Sequence, residues 1–113
     1  MNDSCPFCRI VRGEIPATEV YRTPTLVAIR DIGPQAPTHV LVIPTEHVAS
    51  LNDAEDGSLL GELLLAARDI ARKERVDVRG YRVVINTNAD GGQSVGHLHL
   101  HLLGGRAMEW PPG

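Results

Sequence analysis

Three histidines alternate with leucines in the segment VGHLHLHLLGG, which runs from position 95 to position 105. Alternate side chains of a β-strand point to opposite faces, so His97, His99 and His101 would share one face and the leucines the other. A neutral imidazole can act near neutral pH as a nucleophile, a hydrogen-bonding group or a metal ligand. The pattern therefore predicts a strand with one apolar face in the core and one face that carries chemistry.

Strand geometry argues against a single metal ion held by all three histidines. The first and third backbones of such a strand lie about 13 Å apart. Nitrogen ligands bonded at about 2 Å to one ion lie within about 3.5 Å of each other. Two neighbouring histidines could chelate one ion, but three on a flat strand would be badly strained. We therefore expect the three imidazoles to have different roles.

A glycine-rich segment, NTNADGGQSVG at positions 86–96, precedes the histidines. Its glycines can present backbone N–H groups to an anion, and Gln93 and Ser94 add polar side chains. Asp-Gly-Gly is also an ordinary hairpin turn, so the segment alone permits either interpretation. Beside three imidazoles it becomes a candidate phosphate-binding loop.

Composition limits the class of protein and the compartment. A chain of 113 residues with 42% hydrophobic residues suits one globular domain. A net charge of −3 argues against a nucleic-acid partner, and no apolar run is long enough for a membrane span. The start MNDSCPFCRI does not resemble a secretory signal, which predicts a cytoplasmic location. There Cys5 and Cys8 would remain thiols or bind metal, and a thioredoxin-like role lacks the strand-then-helix context.

Hydrophobic periodicity predicts an α+β meander. Strands are expected at 19–22, 26–32, 39–44, 81–87 and along the histidine segment, with ADGG as a hairpin turn. From Ser58 the apolar residues follow a helical stripe, and Asn52 with Glu55 offers a capping box upstream. Arg72, Lys73 and Arg75 suit the C-terminal end of that helix. The tail 106–113 should be extended, because two prolines follow Trp110.

Several segments resemble one known family. HLHLHLL at 97–103 resembles the signature of the histidine triad (HIT) proteins. The segments at 6–17 (PFCRIVRGEIPA), 31–47 (DIGPQAPTHVLVIPTEH) and 91–113 (GGQSVGHLHLHLLGGRAMEWPPG) are similar to the Hint branch, the histidine triad nucleotide-binding proteins. The resemblance implies a single HIT domain over 1–113. Its antiparallel sheet of about five strands, with one long helix and one short one, would continue across a homodimer.

The resemblance also implies an activity. Hint proteins hydrolyse purine nucleotide conjugates such as AMP phosphoramidates and aminoacyl-AMP at the α-phosphorus, without an organic cofactor. The middle histidine, here His99, would attack phosphorus and form a covalent nucleotidyl-histidine that water then hydrolyses. His101 would donate to a phosphate oxygen or to the leaving group.

The remaining site residues follow from the same resemblance. Asp31 would accept both ribose hydroxyls, since a carboxylate has two acceptor oxygens, although without the family it would be taken as a turn former. The phosphate-side contacts would come from Asn86, Gly92, Gln93 and Ser94. The base pocket would be lined by Phe7, Ile10, Ile15, Ile29 and Ile32, which otherwise read as core residues.

Some histidine triad proteins bind one structural zinc ion, and the resemblance assigns its ligands here to Cys5, Cys8, His47 and His97. The alternative is a pair of reduced thiols packed as small apolar residues. In that case His39, His47 and His97 would form a hydrogen-bonded relay that orients His99. With or without zinc, His39 is counted among the catalytic histidines.

Two other functions compete with a phosphoramidase. One is a dinucleoside polyphosphate hydrolase of the fragile histidine triad type, against which the GGRAMEWPPG ending argues. The other is a nucleotide-binding or zinc-binding regulatory module without turnover, which would have no need of a nucleophile at His99. Trp110 would either reach the partner subunit's active site or anchor the tail, and whether Arg30 reaches the ligand is left open by the sequence.

Overall fold

A computed structural model describes residues 3–113 as one five-stranded antiparallel sheet with two α-helices. The strands are β1 (Glu19–Arg22), β2 (Leu26–Arg30), β3 (Thr38–Pro44), β4 (Tyr81–Val84) and β5 (Leu100–Gly104). The helices are α1 (Pro6–Val11) and α2 (Gly57–Lys73), and a 3₁₀ turn covers Leu51–Asp53. The predicted domain starts at residue 1, and residues 1 and 2 lie outside the described residues.

The predicted α+β fold is confirmed, with one departure from a simple meander. The strand order is β1-β2-β3-β5-β4, so β5 lies between β3 and β4. From β3 the chain passes through α2 to β4 at the edge of the sheet. It then returns to β5, which lies between β4 and β3. β5, which carries His101, is therefore flanked on both sides by other strands.

The sheet buries both of its faces, which is why every residue of β3 is buried. One face packs against α2, where Leu98, Leu100 and Leu102 join Leu63 and Ile70 in the larger apolar cluster. The other face packs against α1 through a second apolar cluster: Cys5, Phe7, Cys8, Val27, Ile29, Leu41 and Ile43. The predicted alternation is therefore correct for the leucines, and α1 is placed over the face opposite α2.

Three predicted strand boundaries are wrong. The histidine strand begins at Leu100, because the amides of His97 and Leu98 bond to the carbonyls of Val95 and Val48 outside the sheet. β4 ends at Val84, and residues 85–99 form a long loop with turns in place of a tight hairpin. β2 ends at Arg30, so Asp31 lies just beyond the strand and not within it. The bond between Leu98 and Val48 joins residues distant in the chain, so the start of the histidine strand cannot be predicted from hydrophobic periodicity.

The N-cap of α2 is also different from the prediction. Asp56 caps the helix, and its carboxylate accepts hydrogen bonds from the amides of Ser58 and Leu59. The predicted capping box of Asn52 and Glu55 does not form, because Asn52 lies in the 3₁₀ turn. The basic residues Arg72 and Lys73 do occupy the last turn, as expected.

We predict that Asp56→Ala lowers the free energy of unfolding by about 1 kcal/mol, because two amides of the first turn lose their acceptor. The thermal midpoint should fall by about 4 °C in a scanning calorimetry measurement. Glu55→Ala is the matched control, since Glu55 makes no cap contact, and its midpoint should stay close to that of the parent. Equal losses in both variants would contradict the assignment of the cap.

The segment 106–113 has neither helix nor strand, and the Trp110 side chain is exposed. Arg82 donates from Nη2 to the Glu109 carbonyl and attaches the tail to β4. Within residues 3–113, neither helix combines the length and the apolar character that crossing a bilayer would require.

Candidate active site and metal centre

A cavity of about 430 Å³ lies between α1 and the sheet face that α1 covers. Its lining includes most of the residues predicted for the site: Phe7, Ile10, Ile15, Ile29, Asp31, Ile32, Ser94, His99 and His101. The structure thus brings together apolar side chains from the first third of the chain and imidazoles from its last quarter. Such a cavity, apolar with a few polar groups at one end, is the usual form of a small-molecule site.

His99 lies at the polar end of the cavity and is 4% exposed. Its Nδ1 is 2.7 Å from the His97 carbonyl oxygen. A carbonyl oxygen only accepts, so Nδ1 must carry the proton and Nε2 keeps its lone pair. The edge of the Phe7 ring packs at 5.0 Å from the imidazole and fixes its plane. In its neutral form, His99 therefore has one free nucleophilic nitrogen, Nε2.

His101 and His39 form a chain of hydrogen bonds beside this nucleophile. The Gln35 amide donates to His39 Nδ1 at 3.0 Å, so the proton of a neutral His39 is on Nε2. That Nε2–H donates to His101 Nδ1 at 2.9 Å, which places the proton of His101 on its own Nε2. The rings of His99 and His101 are 4.9 Å apart. One histidine therefore offers a lone pair and its neighbour an N–H group.

Burial keeps this pair of histidines neutral. Desolvation, followed by the nearby His99 and His39, lowers the pKa of His101 to about 4. Desolvation also lowers the pKa of His39, and the carboxylate of Asp31 opposes that shift. At neutral pH His101 acts as an uncharged hydrogen-bond donor.

This shift predicts a pH dependence of stability. A histidine with a lowered pKa takes up its proton in the unfolded chain first, so stability falls as pH drops from 6.5 toward 4. The slope from His101 should approach about 1.4 kcal/mol per pH unit between these values. His101→Gln removes the titrating group, so its denaturation curves should show a shallower decline over that range. Parallel declines in parent and variant would contradict the lowered pKa.

Asp31 lies at the rim of the cavity and also contacts the histidine chain. Its Oδ1 accepts the Gly33 amide at 2.7 Å, and its own amide donates to the His39 carbonyl at 3.0 Å. Oδ2 is 3.5 Å from His39 Nε2. These contacts hold the carboxylate at a partly exposed position, where it can accept hydrogen bonds from a ligand. Ile32 beside it is fully exposed.

The glycine-rich loop contributes fewer cavity residues than predicted. Ser94 lines the cavity, whereas Asn86, Gly92 and Gln93 do not. Gln93 donates from Nε2 to the carbonyls of Ala49 and Val95, and its Oε1 accepts the Asn88 amide. Its side chain is thus occupied in closing the loop that carries Ser94. The ligand contacts predicted for Asn86, Gly92 and Gln93 remain predictions.

Several cavity residues were not predicted: Pro6, Pro16, Ala17, Arg30, Leu41 and Val95. Leu41 follows His39 by two positions on β3, so strand alternation could have placed it on the cavity side. Arg30 lines the cavity, but its guanidinium forms a bidentate ion pair with Glu74 at 2.6 and 3.1 Å. Glu74 is the C-cap of α2, so that pair ties β2 to the helix on the other face of the sheet.

A cluster of possible metal ligands includes His97, whose carbonyl oxygen bonds to His99. Cys5, Cys8, His47 and His97 each offer one ligand atom, and these atoms all lie within 4.8 Å of one another. His97 Nε2 is 2.9 Å from the Pro44 carbonyl, so it is the protonated nitrogen and Nδ1 keeps a lone pair. That Nδ1 is 3.3 Å from Cys5 Sγ and 3.6 Å from Cys8 Sγ, while His47 Nδ1 is 3.2 Å from Cys8 Sγ.

These spacings fit a tetrahedral ion. Bonds of about 2.3 Å to sulfur and about 2.0 Å to nitrogen give sulfur–nitrogen edges of about 3.5 Å. The three observed distances, 3.2 to 3.6 Å, agree with that value. Burial raises the pKa of the Cys5 thiol, so metal binding would displace a proton from it. Two thiols and two imidazoles are a closed set of the kind that holds structural zinc.

Comparison with known proteins gives a family match over most of the chain. The HIT domain family matches residues 12–108. A purine nucleoside phosphoramidase from Escherichia coli (strain K12) is 46% identical over 110 residues, covering 96% of this chain and 92% of that protein. A 14 kDa zinc-binding protein from Zea mays is 50% identical over 111 residues, covering 95% of this chain and 86% of that protein.

Solved structures agree with the sequence match. A HIT family hydrolase from Legionella pneumophila Philadelphia 1 has a TM-score of 0.95 at 53% identity, covering 97% of this chain and 100% of that chain. A zinc-bound histidine triad family protein from Mycobacterium smegmatis has a TM-score of 0.84 at 34% identity, covering 91% of this chain and 76% of that chain. Both the sequence and the backbone of this chain are therefore similar to histidine triad (HIT) proteins.

Proposed function

The chain belongs to the HIT domain family, and from that premise we propose that it hydrolyses purine nucleoside phosphoramidates at the α-phosphorus. The observation that carries the proposal is a pair of imidazoles, buried His99 and partly buried His101, at the polar end of a largely apolar cavity. One offers a free Nε2 lone pair and the other an N–H group. The similarity to a purine nucleoside phosphoramidase supports this choice of substrate.

In the first step, Nε2 of His99 attacks the α-phosphorus and forms a phosphorus–nitrogen bond. The electron pair of the scissile bond leaves with the amine, which takes a proton from solvent. The imidazole is then positively charged, and its Nδ1–H donates to the His97 carbonyl at 2.7 Å, which stabilises that charge. Water attacks the adduct in the second step and releases AMP, and His99 returns to its neutral form.

His101 supports both steps without changing its charge. Its Nε2–H is directed away from His39. The ring centroids of His99 and His101 are 4.9 Å apart, so this donor can bond to a phosphate oxygen as negative charge develops there. His39 acts as a positioning residue, because its Nε2–H fixes the tautomer of His101. The Gln35 amide fixes His39 in turn.

The apolar part of the cavity would hold the base and Asp31 the ribose. Phe7 and Ile10 of α1 and Ile29 of β2 line the cavity and would contact the purine. The Asp31 carboxylate is partly exposed at the rim and can accept further hydrogen bonds, which suits a vicinal diol. The proposed ligand is therefore oriented with its base under α1 and its phosphate beside Ser94 and His99.

Zinc would be held by the cluster of Cys5, Cys8, His47 and His97. All four positions of a tetrahedral ion are then filled by protein, so the ion's contribution is a structural cross-link between α1, the segment after β3 and the triad segment. The side chain of His97 contributes a ligand atom to this cluster, and its carbonyl oxygen accepts a hydrogen bond from Nδ1 of His99. The likeness to zinc-binding relatives supports this assignment.

A homodimer is proposed through β4. This strand is an edge of the sheet, and all four of its side chains are half-buried in the single chain. An open edge beside partly covered apolar residues such as Tyr81, Val83 and Ile85 would be closed by the same strand of a second copy. Sedimentation equilibrium should return the mass of two chains, and the mass of one chain would reject the dimer.

The direct test is release of AMP from adenosine 5′-phosphoramidate by the purified protein. Saturable AMP release is the expected result, with diadenosine triphosphate hydrolysed more slowly. Faster cleavage of the dinucleotide would favour the fragile histidine triad activity. Tight AMP binding without release from either compound would favour a binding module.

The ribose assignment has its own prediction. Asp31→Asn should weaken AMP binding by about tenfold, because one carboxylate oxygen becomes an amide donor that cannot accept from a hydroxyl. Binding of 2′,3′-dideoxy-AMP, which lacks both hydroxyls, should change little. Titration calorimetry compares the two ligands directly, and equal losses for both would reject the assignment.

A further inference from the structure

The arginines of this chain divide into two groups by their partners. Six of the ten have a carboxylate oxygen within 4.0 Å: Arg9, Arg12, Arg22, Arg30, Arg68 and Arg72. The other four have no such carboxylate among residues 3–113: Arg75, Arg79, Arg82 and Arg106. The four arginines of the second group lie close together, at one end of the sheet.

All four unpaired arginines line two adjoining cavities, which we call the arginine groove. Arg75, Arg79 and Arg106 line a cavity of about 370 Å³. Arg79, Arg82 and Arg106 line a second cavity of about 230 Å³, which shares Gly80 and Ala107 with the first. The groove lies at the end of the sheet where β5 stops and β4 begins, and no residue of the nucleotide cavity lines it. Arg82 belongs to β4, the strand proposed to pair in the homodimer, whereas Arg75, Arg79 and Arg106 lie outside that strand.

Among the described residues, no acidic side chain forms an ion pair with an arginine of the groove. Glu74, which precedes Arg75, is held by Arg30 in a bidentate ion pair. Asp77 lies in the same loop, but no cationic nitrogen is within 4.0 Å of its carboxylate in the described part of the chain. The local excess of positive charge stands out because the whole chain has a net charge of −3.

Backbone contacts fix two of the four guanidinium groups without using their charge. Arg106 donates from Nε to the Gln35 carbonyl and from Nη1 to the Ala107 carbonyl, both at 3.0 Å. Arg82 donates from Nη2 to the Glu109 carbonyl at 2.8 Å. Each keeps further N–H groups for a ligand, in a planar group that matches phosphate oxygens.

From this geometry we propose that the arginine groove binds a small anion with two or more linked phosphate groups. One phosphate carries a charge of about −1.5 to −2, so a single phosphate would leave half of four guanidinium charges unmatched. A chain of phosphates brings enough charge and extends from one cavity into the next. The guanidinium fork favours phosphate over a halide ion, because it can donate two parallel hydrogen bonds to one group.

Titration calorimetry with sodium tripolyphosphate tests this site, performed on the full chain with and without saturating AMP. One tripolyphosphate should bind per chain in both conditions, at least about tenfold more tightly than orthophosphate, and more weakly as salt rises. Adenosine triphosphate under saturating AMP identifies the source of the phosphate chain. Binding equal to that of tripolyphosphate indicates a nucleotide tail, and markedly weaker binding indicates an inorganic chain.

A pair of double variants assigns the binding to the groove. R75Q with R79Q should weaken tripolyphosphate binding by at least about tenfold, because half of the guanidinium groups are lost. R68Q with R72Q is the matched control, since it removes two exposed arginines of α2 that pair with Asp69, and it should leave binding nearly unchanged. Both variants should retain their thermal midpoint and AMP release.

Three results would overturn the proposal. The first is the absence of saturable tripolyphosphate binding in the presence of AMP. The second is loss of binding when AMP is added, which would place the anion in the nucleotide cavity. The third is equal weakening in both double variants, which would indicate diffuse attraction to surface charge.

Discussion

Replacing His99 with alanine is expected to lower the rate of AMP release from adenosine 5′-phosphoramidate by about a thousandfold or more. Among the described residues that line the cavity, His99 alone has a ring nitrogen whose lone pair is left free by the protein's own hydrogen bonds, and the covalent route ends with its loss. His101 cannot substitute, because its Nδ1 accepts from His39 and its Nε2 carries the proton. Steady-state kinetics on the parent and the variant measure this loss.

AMP binding serves as the control for that experiment. The base and ribose contacts do not involve His99, so AMP affinity should change by no more than about threefold. The thermal midpoint should also be measured, because the variant loses the bond to the His97 carbonyl. Turnover close to that of the parent would reject His99 as the nucleophile. A parallel loss of AMP binding would show that the imidazole acts in recognition.

Removing zinc is the second change with a large expected effect. Chelation, or Cys5→Ser combined with Cys8→Ser, should lower the thermal midpoint by about 10 °C or more, because metal-binding free energy is also folding free energy. Emission spectrometry of the purified parent should first find one zinc ion per chain. A parent that contains no zinc, or a midpoint unaffected by chelation, would contradict the metal site.

The effect should be concentrated in α1. This helix has six residues, too few to be stable alone, and its N-cap is Cys5. Cys8 is completely buried within it, and Phe7 packs against the rings of both His97 and His99. Release of the cysteines should therefore free α1, expose the base pocket and weaken AMP binding.

Hydrogen exchange separates this local effect from general unfolding. In the zinc-free protein, amides of α1 should lose protection while those of α2 keep it, because α2 packs on the opposite face of the sheet. Glu46→Gln, next to a ligand but with no ligand atom in the cluster, is a suitable control for substitution near the site. Equal loss of protection in both helices would show that zinc supports the whole fold.

The alternation of histidine and leucine gave the most accurate prediction from sequence. Leu98, Leu100 and Leu102 all lie in the core, and the imidazoles face the other side of the sheet. The geometric argument against one shared ion also agrees with the structure, in which His97 contacts the cysteines while His99 and His101 line the cavity. Periodicity and spacing were sufficient here because both depend only on local backbone geometry.

Other features depend on contacts between distant parts of the chain. That β5 begins at Leu100 depends on hydrogen bonds of the preceding residues with Val48 and Val95. Asp56 caps α2 in place of the predicted box, because a 3₁₀ turn capped by Ser50 uses the residues upstream. The Gln93 amide donates to two loop carbonyls, and its predicted contact with phosphate stays a prediction. Composition and periodicity do not indicate such partners.

If His99 is the nucleophile, it becomes covalently nucleotidylated during turnover. Intact-mass analysis of the protein, quenched milliseconds after mixing with adenosine 5′-phosphoramidate, detects such an adduct. We expect a transient species heavier by one adenylyl group, present in the parent and absent in His99→Ala, with the group mapped to His99 by peptide sequencing. AMP release at the full rate without any adduct, or an adduct that persists in His99→Ala, would contradict this assignment.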